Sequence, residues 1–221
     1  MKISVIMPSY LGDYEGAARN RPEKFVRAVN SFIEQQWPDS ELIIVSDGCE
    51  LTKKTLYGMN LCEPIPDHFL LDAQRLIRLI IIPKQPPFAG AVRNAGIKEA
   101  QGEIIAYLDT DDTIMRGHLG AIFQAFFKYP DKPQEYRSWV YFNDFIAGPD
   151  LKPIHERETH LRYGGIGTGG FAHEKGLDVQ WQDGYGHDWR FVENLMQRYP
   201  HTKKVTGMGY LTCHVPPNID V

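Results

Sequence analysis

The chain has 221 residues, 43% of them hydrophobic, with 24 Lys and Arg set against 28 Asp and Glu for a formal net charge of -4. That length suits one large α/β domain, and the charge balance gives no reason to expect nucleic acid as a partner. No stretch approaches the ~20 apolar residues of a membrane span, which excludes a transmembrane segment but leaves peripheral membrane contact open.

The first apolar run, Ile3 to Met7, is too short for a signal peptide. Cys49, Cys62 and Cys213 are odd in number and fit neither a zinc site nor a disulfide framework. They read as reduced thiols in a cytoplasmic protein.

In chain order, Lys2 to Pro8 reads as a strand that Pro8 stops. Ser9 to Arg21 is a polar loop, and Pro22 suits the first position of a helix in which Phe25, Val29, Phe32 and Ile33 recur at helical spacing up to Trp37-Pro38. Glu41 to Ser46 is a second strand, turned at Asp47-Gly48. Thr52 to Asn60 is helical in pattern, and Leu61 to Asp72 is an insertion without a period. Leu76 to Ile82 is a strand closed by Pro83, and a helix follows over Gly90 to Ala100 with Gly102 as its stop. Glu103 to Leu108 leads into Asp109-Thr110-Asp111-Asp112, and Leu119, Ile122, Phe123, Phe126 and Phe127 line the next helix. Strand then helix, four times over, is the pattern of a parallel sheet covered on both faces.

After residue 137 the pattern changes. Trp139 to Ile146 reads as one strand, Arg162 to Gly176 as a glycine-rich loop, and His187 to Tyr199 as a helix with Phe191, Val192, Leu195 and Met196 inward. Val205 to His214 reads as a last β segment before Pro216-Pro217. The expected architecture is therefore α/β: a mostly parallel central sheet flanked by helices, with a smaller mixed β region in the C-terminal half.

Three carboxylates at the end of the buried strand Ile104 to Leu108 are costly without a cation against them. A divalent metal suits them, because hard cations take oxygen ligands and bridge to substrate phosphates. A solvated turn before a helix is the alternative. The clusters Pro8-Ser9-Tyr10, Asp47-Gly48, Pro83 to Asn94 and Asp109 to Asp112 all fall at strand ends, which share one edge in a parallel sheet.

Ile3-Ser-Val-Ile-Met-Pro-Ser-Tyr10, Glu41-Leu-Ile-Ile-Val-Ser-Asp-Gly48, Gly90-Ala-Val-Arg-Asn-Ala-Gly96 and Tyr107-Leu-Asp-Thr-Asp-Asp112 occur in this order over about the first 115 residues. This series resembles the family-two glycosyltransferases of the GT-A fold. The resemblance implies a single domain over 1–221, with a nucleotide-binding half (1–115) and an acceptor-binding half (116–221). Pro8, Ser9, Tyr10, Asp47, Arg93 and Asp109 would belong to the donor-nucleotide site, with Asp47 on the base or ribose and Arg93 near the phosphates. Lys84 would add charge nearby or stay solvated. Asp109-Thr110-Asp111 matches the DxD motif: Asp109 would contact the ribose or a metal-bound water, Asp111 would ligate manganese or magnesium, and Asp112 would support them. Tyr210-Leu-Thr-Cys-His214 resembles a late segment in which some GT-A enzymes supply a histidine ligand, against a structural histidine as the alternative.

Gly186-His187-Asp188 lies where the family has Gly-Glu-Asp. Asp188 would be the general base, its pKa raised toward neutral by burial, unless it only caps the helix. Asp183 is the competing carboxylate. His187, in place of the usual Glu, bears on acceptor binding, and Trp181 offers an aromatic face to a sugar or else belongs to the core. By resemblance the reaction inverts the anomeric centre, moving a sugar from a nucleotide donor to a glycan or other hydroxyl acceptor. UDP is the expected carrier, with GDP and dTDP open. A sugar-1-phosphate nucleotidyltransferase is an alternative, though Ser9 to Arg21 has only Gly12 and Gly16 where such enzymes carry a glycine-rich, arginine-containing loop. A sugar-nucleotide or glycan-binding module without turnover is another.

Gly165-Ile-Gly-Thr-Gly-Gly170 spells GxGxxG but lacks the strand before and the helix after that a dinucleotide site needs. His155 to His160 is not HExxH, and Ile114 occupies the glycine position that an EF-hand over Asp109 to Gly120 would require.

Overall fold

The computed structural model describes residues 1–14, 17, 19–59, 76–86, 88–127, 138–215 and 219–220. The expected insertion at 61–72, Cys62 and Pro216-Pro217 lie outside them. The first half runs β1 (Ile3–Ser9), α1 (Arg21–Ile33), β2 (Ser40–Asp47), α2 (Glu50–Gly58), β3 (Ile77–Ile82), α3 (Gly90–Glu99), β4 (Ile104–Tyr107), β5 (Thr113–Ile114) and α4 (His118–Phe126). The second half adds β6 (Trp139–Phe142), β7 (Asp144–Ala147), β8 (Pro153–Arg157), a 3-10 turn (Thr168–Gly170), β9 (Phe171–Glu174), α5 (His187–Arg198), β10 (Thr202–Val205), β11 (Tyr210–Thr212), β12 (His214–Val215) and β13 (Ile219–Asp220).

Seven strands form the main sheet in the order β10-β6-β9-β4-β1-β2-β3. Strands β4, β1, β2 and β3 are mutually parallel, and β9 runs antiparallel to both its neighbours. The parallel strands are apolar on both faces, as sheets covered by helices on each side require. Ile3, Val5, Leu42 and Ile44 pack against Phe25, Val29 and Phe32 of α1 and Leu119 and Ile122 of α4. On the other face Ile6, Ile43, Val45 and Ile105 meet Val92 of α3 and Phe191, Val192 and Leu195 of α5. A smaller mixed sheet, β5-β11-β7-β8, is built mainly from the C-terminal half, as expected, with β5 joining it from the first half. No helix among the described residues is long and apolar enough to cross a membrane.

Several boundaries differ from the sequence reading. The segment Trp139 to Ile146 is two strands: β6 joins the main sheet and β7 the small one, parting at Asn143. Asn143 pins the switch, donating to Glu156 (2.7 Å) and accepting from the Thr159 N–H (3.0 Å). The stretch from Val205 to His214 likewise divides among β10, β11 and β12. The glycine-rich segment expected as loop contains β9, a central strand; its four residues are too few to show a period. Pro8 does not stop β1. It lies beyond the last β1–β4 pair, Ile6 with Tyr107, where β1 has a neighbour on one side only and a missing N–H is tolerated. Gly102 is not a helix stop but a close contact, since a Cβ there would lie 2.6 Å from the Ser4 backbone nitrogen. Met196 is 36% exposed at the margin of α5.

At the end of the sheet away from the acidic turn, Glu41 is the second residue of β2 and is buried to 1% exposure. Its carboxylate accepts from Ser4 Oγ (2.6 Å) and the Gln101 N–H (2.6 Å) and pairs with Arg78 (3.2 Å). Burial alone would raise its pKa, but the Ser4, Gln101 and Arg78 hydrogen bonds and the Lys2 charge outweigh it and hold the group below the usual carboxylate range. A depressed folded-state pKa gives stability that is present above the unfolded value and lost as pH falls through the folded one. Glu41→Gln is therefore expected to cost about 2 kcal/mol at pH 7. It should also flatten the acid side of the stability curve, both read by urea unfolding at pH 7 and across the acid range.

Candidate functional site

The carboxyl ends of β1, β2, β3 and β4 open onto a cleft of about 670 Å³, within the size range of small-molecule sites. Pro8, Ser9, Tyr10, Asp47, Arg93, Asp109 and Asp111 all line it. Their convergence follows from the parallel register, which brings segments far apart in sequence to a single edge. Asp13 and Tyr14 from the loop after β1 and Arg21 at the start of α1 also line it, with the Arg21 guanidinium 4.6 Å from the centre of the Tyr14 ring.

Asp47 ends β2, and Gly48 turns the chain at φ +61, where a Cβ would strike Lys84 backbone atoms at 2.7 Å. This close approach presents the start of the 83–89 segment to Asp47. The carboxylate accepts from the Gln85 N–H (2.6 Å) and pairs with Lys84, whose ammonium also sits 4.4 Å from the centre of the Tyr10 ring. Lys84 is thus partnered rather than simply solvated.

Arg93 occupies the first turn of α3 and is 3% exposed. One guanidinium nitrogen donates to Asp109 Oδ1 (2.9 Å), another lies 3.2 Å from His187 Nε2, and the group stacks over Trp181 at 4.7 Å. Burial opposes the charge, but Asp109 and Asp188 more than offset it and push the Arg93 pKa up. Its Nε is buried without a partner. Neighbouring Asn94 exchanges two hydrogen bonds with the Trp181 backbone, each 2.9 Å. The Arg-Asn pair therefore fastens the segment that leads into α5.

The tryptophan itself corrects an expectation. Trp181 is 3% exposed, stacked on Phe191 at 4.4 Å, and its indole N–H donates to Tyr107 (3.0 Å). It has no free face for a sugar and instead forms the floor under Arg93.

In the acidic turn the carboxylates divide. Asp109 and Asp111 border the cleft, whereas Asp112 turns inward at 7% exposure. It accepts from the Cys213 N–H and from the Tyr210 hydroxyl, both at 2.8 Å. Burial, with Asp111 and Asp109 beside it, pushes Asp112 well above the usual carboxylate range. The Tyr210 oxygen also accepts from the Asp109 N–H (3.2 Å). His118, pushed down to about 3 by burial, accepts from the Gly209 N–H (3.1 Å) and anchors the start of β11. Among the described residues no group of three or more His, Cys, Asp and Glu converges as a metal cage. The backbone of His214 pairs in β12, but its side chain lies outside the described atoms.

Asp188 sits in the first turn of α5. The cap position is Gly186, which makes no side-chain capping bond, so Asp188 is not the helix cap. Its Oδ1 accepts from Thr168 Oγ (2.6 Å) and lies 3.1 Å from His187 Nε2. Burial would raise its pKa, but His187, Arg93 and Thr168 together hold it below the ordinary carboxylate range. This is opposite to the expected shift toward neutral. Asp183 faces elsewhere, accepting from the Ala91 N–H at the start of α3 (3.3 Å).

Sequence reasoning missed Thr168 and Tyr210. The Tyr210 ring lies flat on Gly169, where a Cβ would come within 2.2 Å of it. The Gly169-Gly170 pair beside Thr168 was the available signal, small residues marking a close approach.

A parallel sheet whose strand ends hold a nucleotide-sized cleft, an acidic turn and a buried arginine defines a GT-A-type site. The profile of Glycosyl transferase family 2 matches residues 4–132, and the chain belongs to that family. It is 32% identical over 126 residues to an uncharacterized glycosyltransferase of Nostoc, covering 57% of this chain and 33% of that one. It is 36% identical over 103 residues to the succinoglycan biosynthesis protein ExoO of Rhizobium meliloti, covering 47% and 26%. Among solved structures, S. aureus TarS 1-349 in complex with UDP-GlcNAc superposes with a TM-score of 0.70 at 14% identity, over 99% of this chain and 60% of that one. The mannosyltransferase PcManGT of Pyrobaculum calidifontis, in complex with GDP-Man and Mn2+, gives 0.59 at 15% identity over 97% and 58%. The structural likenesses show the GT-A fold. The chain spans about a third of the length of the curated relatives it matches.

Tyr210→Phe keeps the ring on Gly169 but strips Asp112 of a buried donor. The expected cost is about 1–3 kcal/mol, together with weaker nucleotide binding through the loosened Asp109 backbone, measured by unfolding and by calorimetry.

Proposed function

We propose that this chain moves a sugar from a nucleotide donor to an acceptor hydroxyl, with inversion at the anomeric carbon. The nucleotide-binding half is 1–115 and the acceptor-binding half 116–221. UDP is the favoured carrier. One observation supports this reading above the others: Arg93 joins Asp109, on the donor edge, to His187 beside Asp188, so a carboxylate base stands one side chain away from the diphosphate-binding edge.

In this reading Asp47 accepts from the base or ribose and Arg93 faces the diphosphate. Asp111, with Asp109 beside it, would hold manganese or magnesium. Two carboxylates and no further described ligand suit a divalent cation that arrives with its nucleotide, since such ions take one or two carboxylates plus substrate phosphates and water. His214 remains a proposed additional ligand. When bound, the cation offsets charge on the departing nucleoside diphosphate.

Asp188 takes the acceptor proton on Oδ2, its Oδ1 being held by Thr168 and facing His187. The acceptor oxygen forms its bond to the anomeric carbon as the bond to the diphosphate breaks. Since Asp188 is held below the usual carboxylate range, it stays ionised through neutral and mildly acid pH. It is ready to accept a proton but is a weak base, which places most of the demand on leaving-group stabilisation.

Asp111→Ala is expected to abolish the manganese dependence of UDP binding in calorimetry. Asp188→Asn should bind UDP normally but lower turnover by about 100-fold or more, followed as nucleoside diphosphate released from a panel of nucleotide sugars. Release of pyrophosphate in place of nucleoside diphosphate would indicate a nucleotidyltransferase. Binding with no turnover in the wild type would indicate a binding module.

A further inference from the structure

His187 stands at a junction that cannot be satisfied in one protonation state. Its Nε2 is 3.2 Å from an Arg93 guanidinium nitrogen and 3.1 Å from Asp188 Oδ1, while Nδ1 is 3.2 Å from the Gly184 carbonyl oxygen. Arginine only donates and a carbonyl only accepts. The neutral ring that suits both therefore carries its proton on Nδ1, donates to Gly184 and accepts from Arg93 through Nε2. In that state two acceptors, Nε2 and Asp188 Oδ1, face each other. Adding a proton to Nε2 reverses the preference: the ring now donates to Asp188 and must give up Arg93, a cation facing a cation.

The surrounding charges leave no third arrangement. Asp188 lies on the same helix, and Arg93 reaches the ring from α3 with Asp109 behind it. The rings packed nearby, Trp181 at 5.8 Å and Phe88 at 6.2 Å, carry no charge. Asp183 is occupied at the start of α3 and Arg190 at the Asp183 carbonyl. Phe88 adds a second sign of a built site. It holds φ at +101 while 44% exposed and lining the cleft, a backbone strain of the kind that persists at ligand clamps.

We infer that His187 is a positioning residue whose own proton decides whether Asp188 can serve as the base. With the imidazole neutral, Asp188 keeps the Thr168 hydrogen bond and the nearby Arg93 charge but loses the His187 donor, so it is a stronger base and its carboxylate takes the acceptor proton. With the imidazole protonated, Asp188 is tied into an ion pair, Arg93 is pushed off His187, and transfer falls. A glutamate at this position would accept from Arg93 but repel Asp188 at neutral pH, with no imidazole to titrate, so this dependence belongs to the chain's own histidine. The inference rests on Asp188 being the base.

The test is the pH profile of kcat/KM for transfer, or for donor hydrolysis with water as acceptor, between about pH 5 and 8, the range in which imidazoles titrate. Wild type is expected to lose activity on the acid side, by about tenfold between pH 7.5 and 5.5. His187→Gln lowers the maximum, but its profile, scaled to that maximum, should be flat over the same range. A scaled His187→Gln profile that superposes on wild type overturns the inference.

A second measurement needs no turnover. Nitrogen NMR of the His187 ring in the whole chain should show the Nδ1–H tautomer at pH 8 and both nitrogens protonated at pH 5. In Asp188→Asn, the doubly protonated form should require a lower pH. An Nε2–H tautomer at pH 8, or no response to Asp188→Asn, overturns the inference. Near-wild-type turnover in Asp188→Asn would instead overturn the base assignment itself. An inactive Asp188→Asn with an unchanged His187→Gln profile removes only the role of His187.

Discussion

A guanidinium withdrawn from water must have anions fixed around it, and that requirement at Arg93 organises the site. Removing one partner of a buried ion pair costs about 3–5 kcal/mol, so a 3%-exposed arginine constrains whatever surrounds it. Arg93 enters from α3, Asp109 from the end of β4, His187 and Asp188 from the start of α5, and Trp181 from the segment before it. Neither α3 nor the end of β4 can shift alone without parting the Arg93–Asp109 ion pair. The proposed donor edge and the proposed base are consequently positioned by the same side chain.

A second tie runs beneath the first. Tyr210 joins Asp112 and the Asp109 backbone on one side, and its ring seats Gly169 on the other. Next to Gly169, Thr168 holds Asp188. The small sheet, which contributes Tyr210 through β11, therefore supports both the acidic turn and the carboxylate on α5. Two unlike connections, one an ion pair partly lining the cleft and one a buried hydrogen-bond chain, hold the same two loci at a fixed separation. The in-line transfer proposed above would need that fixity, because the acceptor oxygen would approach the anomeric carbon opposite the departing diphosphate.

The first half of the fold was legible because its signals are local. Apolar runs of six to eight residues ended by Pro or Asp-Gly, and helices with a clear apolar face, give β1 to β4 and α1 to α4 nearly in place. The residues at the strand ends were legible as a group for the same reason, since parallel topology alone brings them together. What stayed hidden depends on contacts distant in sequence. β9 is four residues long and glycine-flanked, and its place in the sheet comes from pairing with β4 and β6. The break at Asn143 depends on a partner thirteen positions away. Trp181 was ambiguous because an indole suits a sugar face and a core equally well, and only the packing of Phe191 and Tyr107 against it decides. The direction of the Asp188 pKa was misjudged by weighing burial without the charge and donors that accompany it.

The departure from the family pattern at His187 has a consequence for the donor edge as well. Asp47 is offset by Lys84 and Asp109 by Arg93, while Asp111 and Asp188 add negative charge on either side. The proposed diphosphate would bring more. An acidic residue in place of His187 would pair with the guanidinium alongside Asp109 and compete with the proposed diphosphate, whereas an imidazole accepting through Nε2 would leave more of that charge for it. Asp109 and the Trp181 ring hold the cation at the cleft; in the proposed reaction its interaction would strengthen as negative charge grows on the leaving group, and an interaction that strengthens only at that point would lower the barrier.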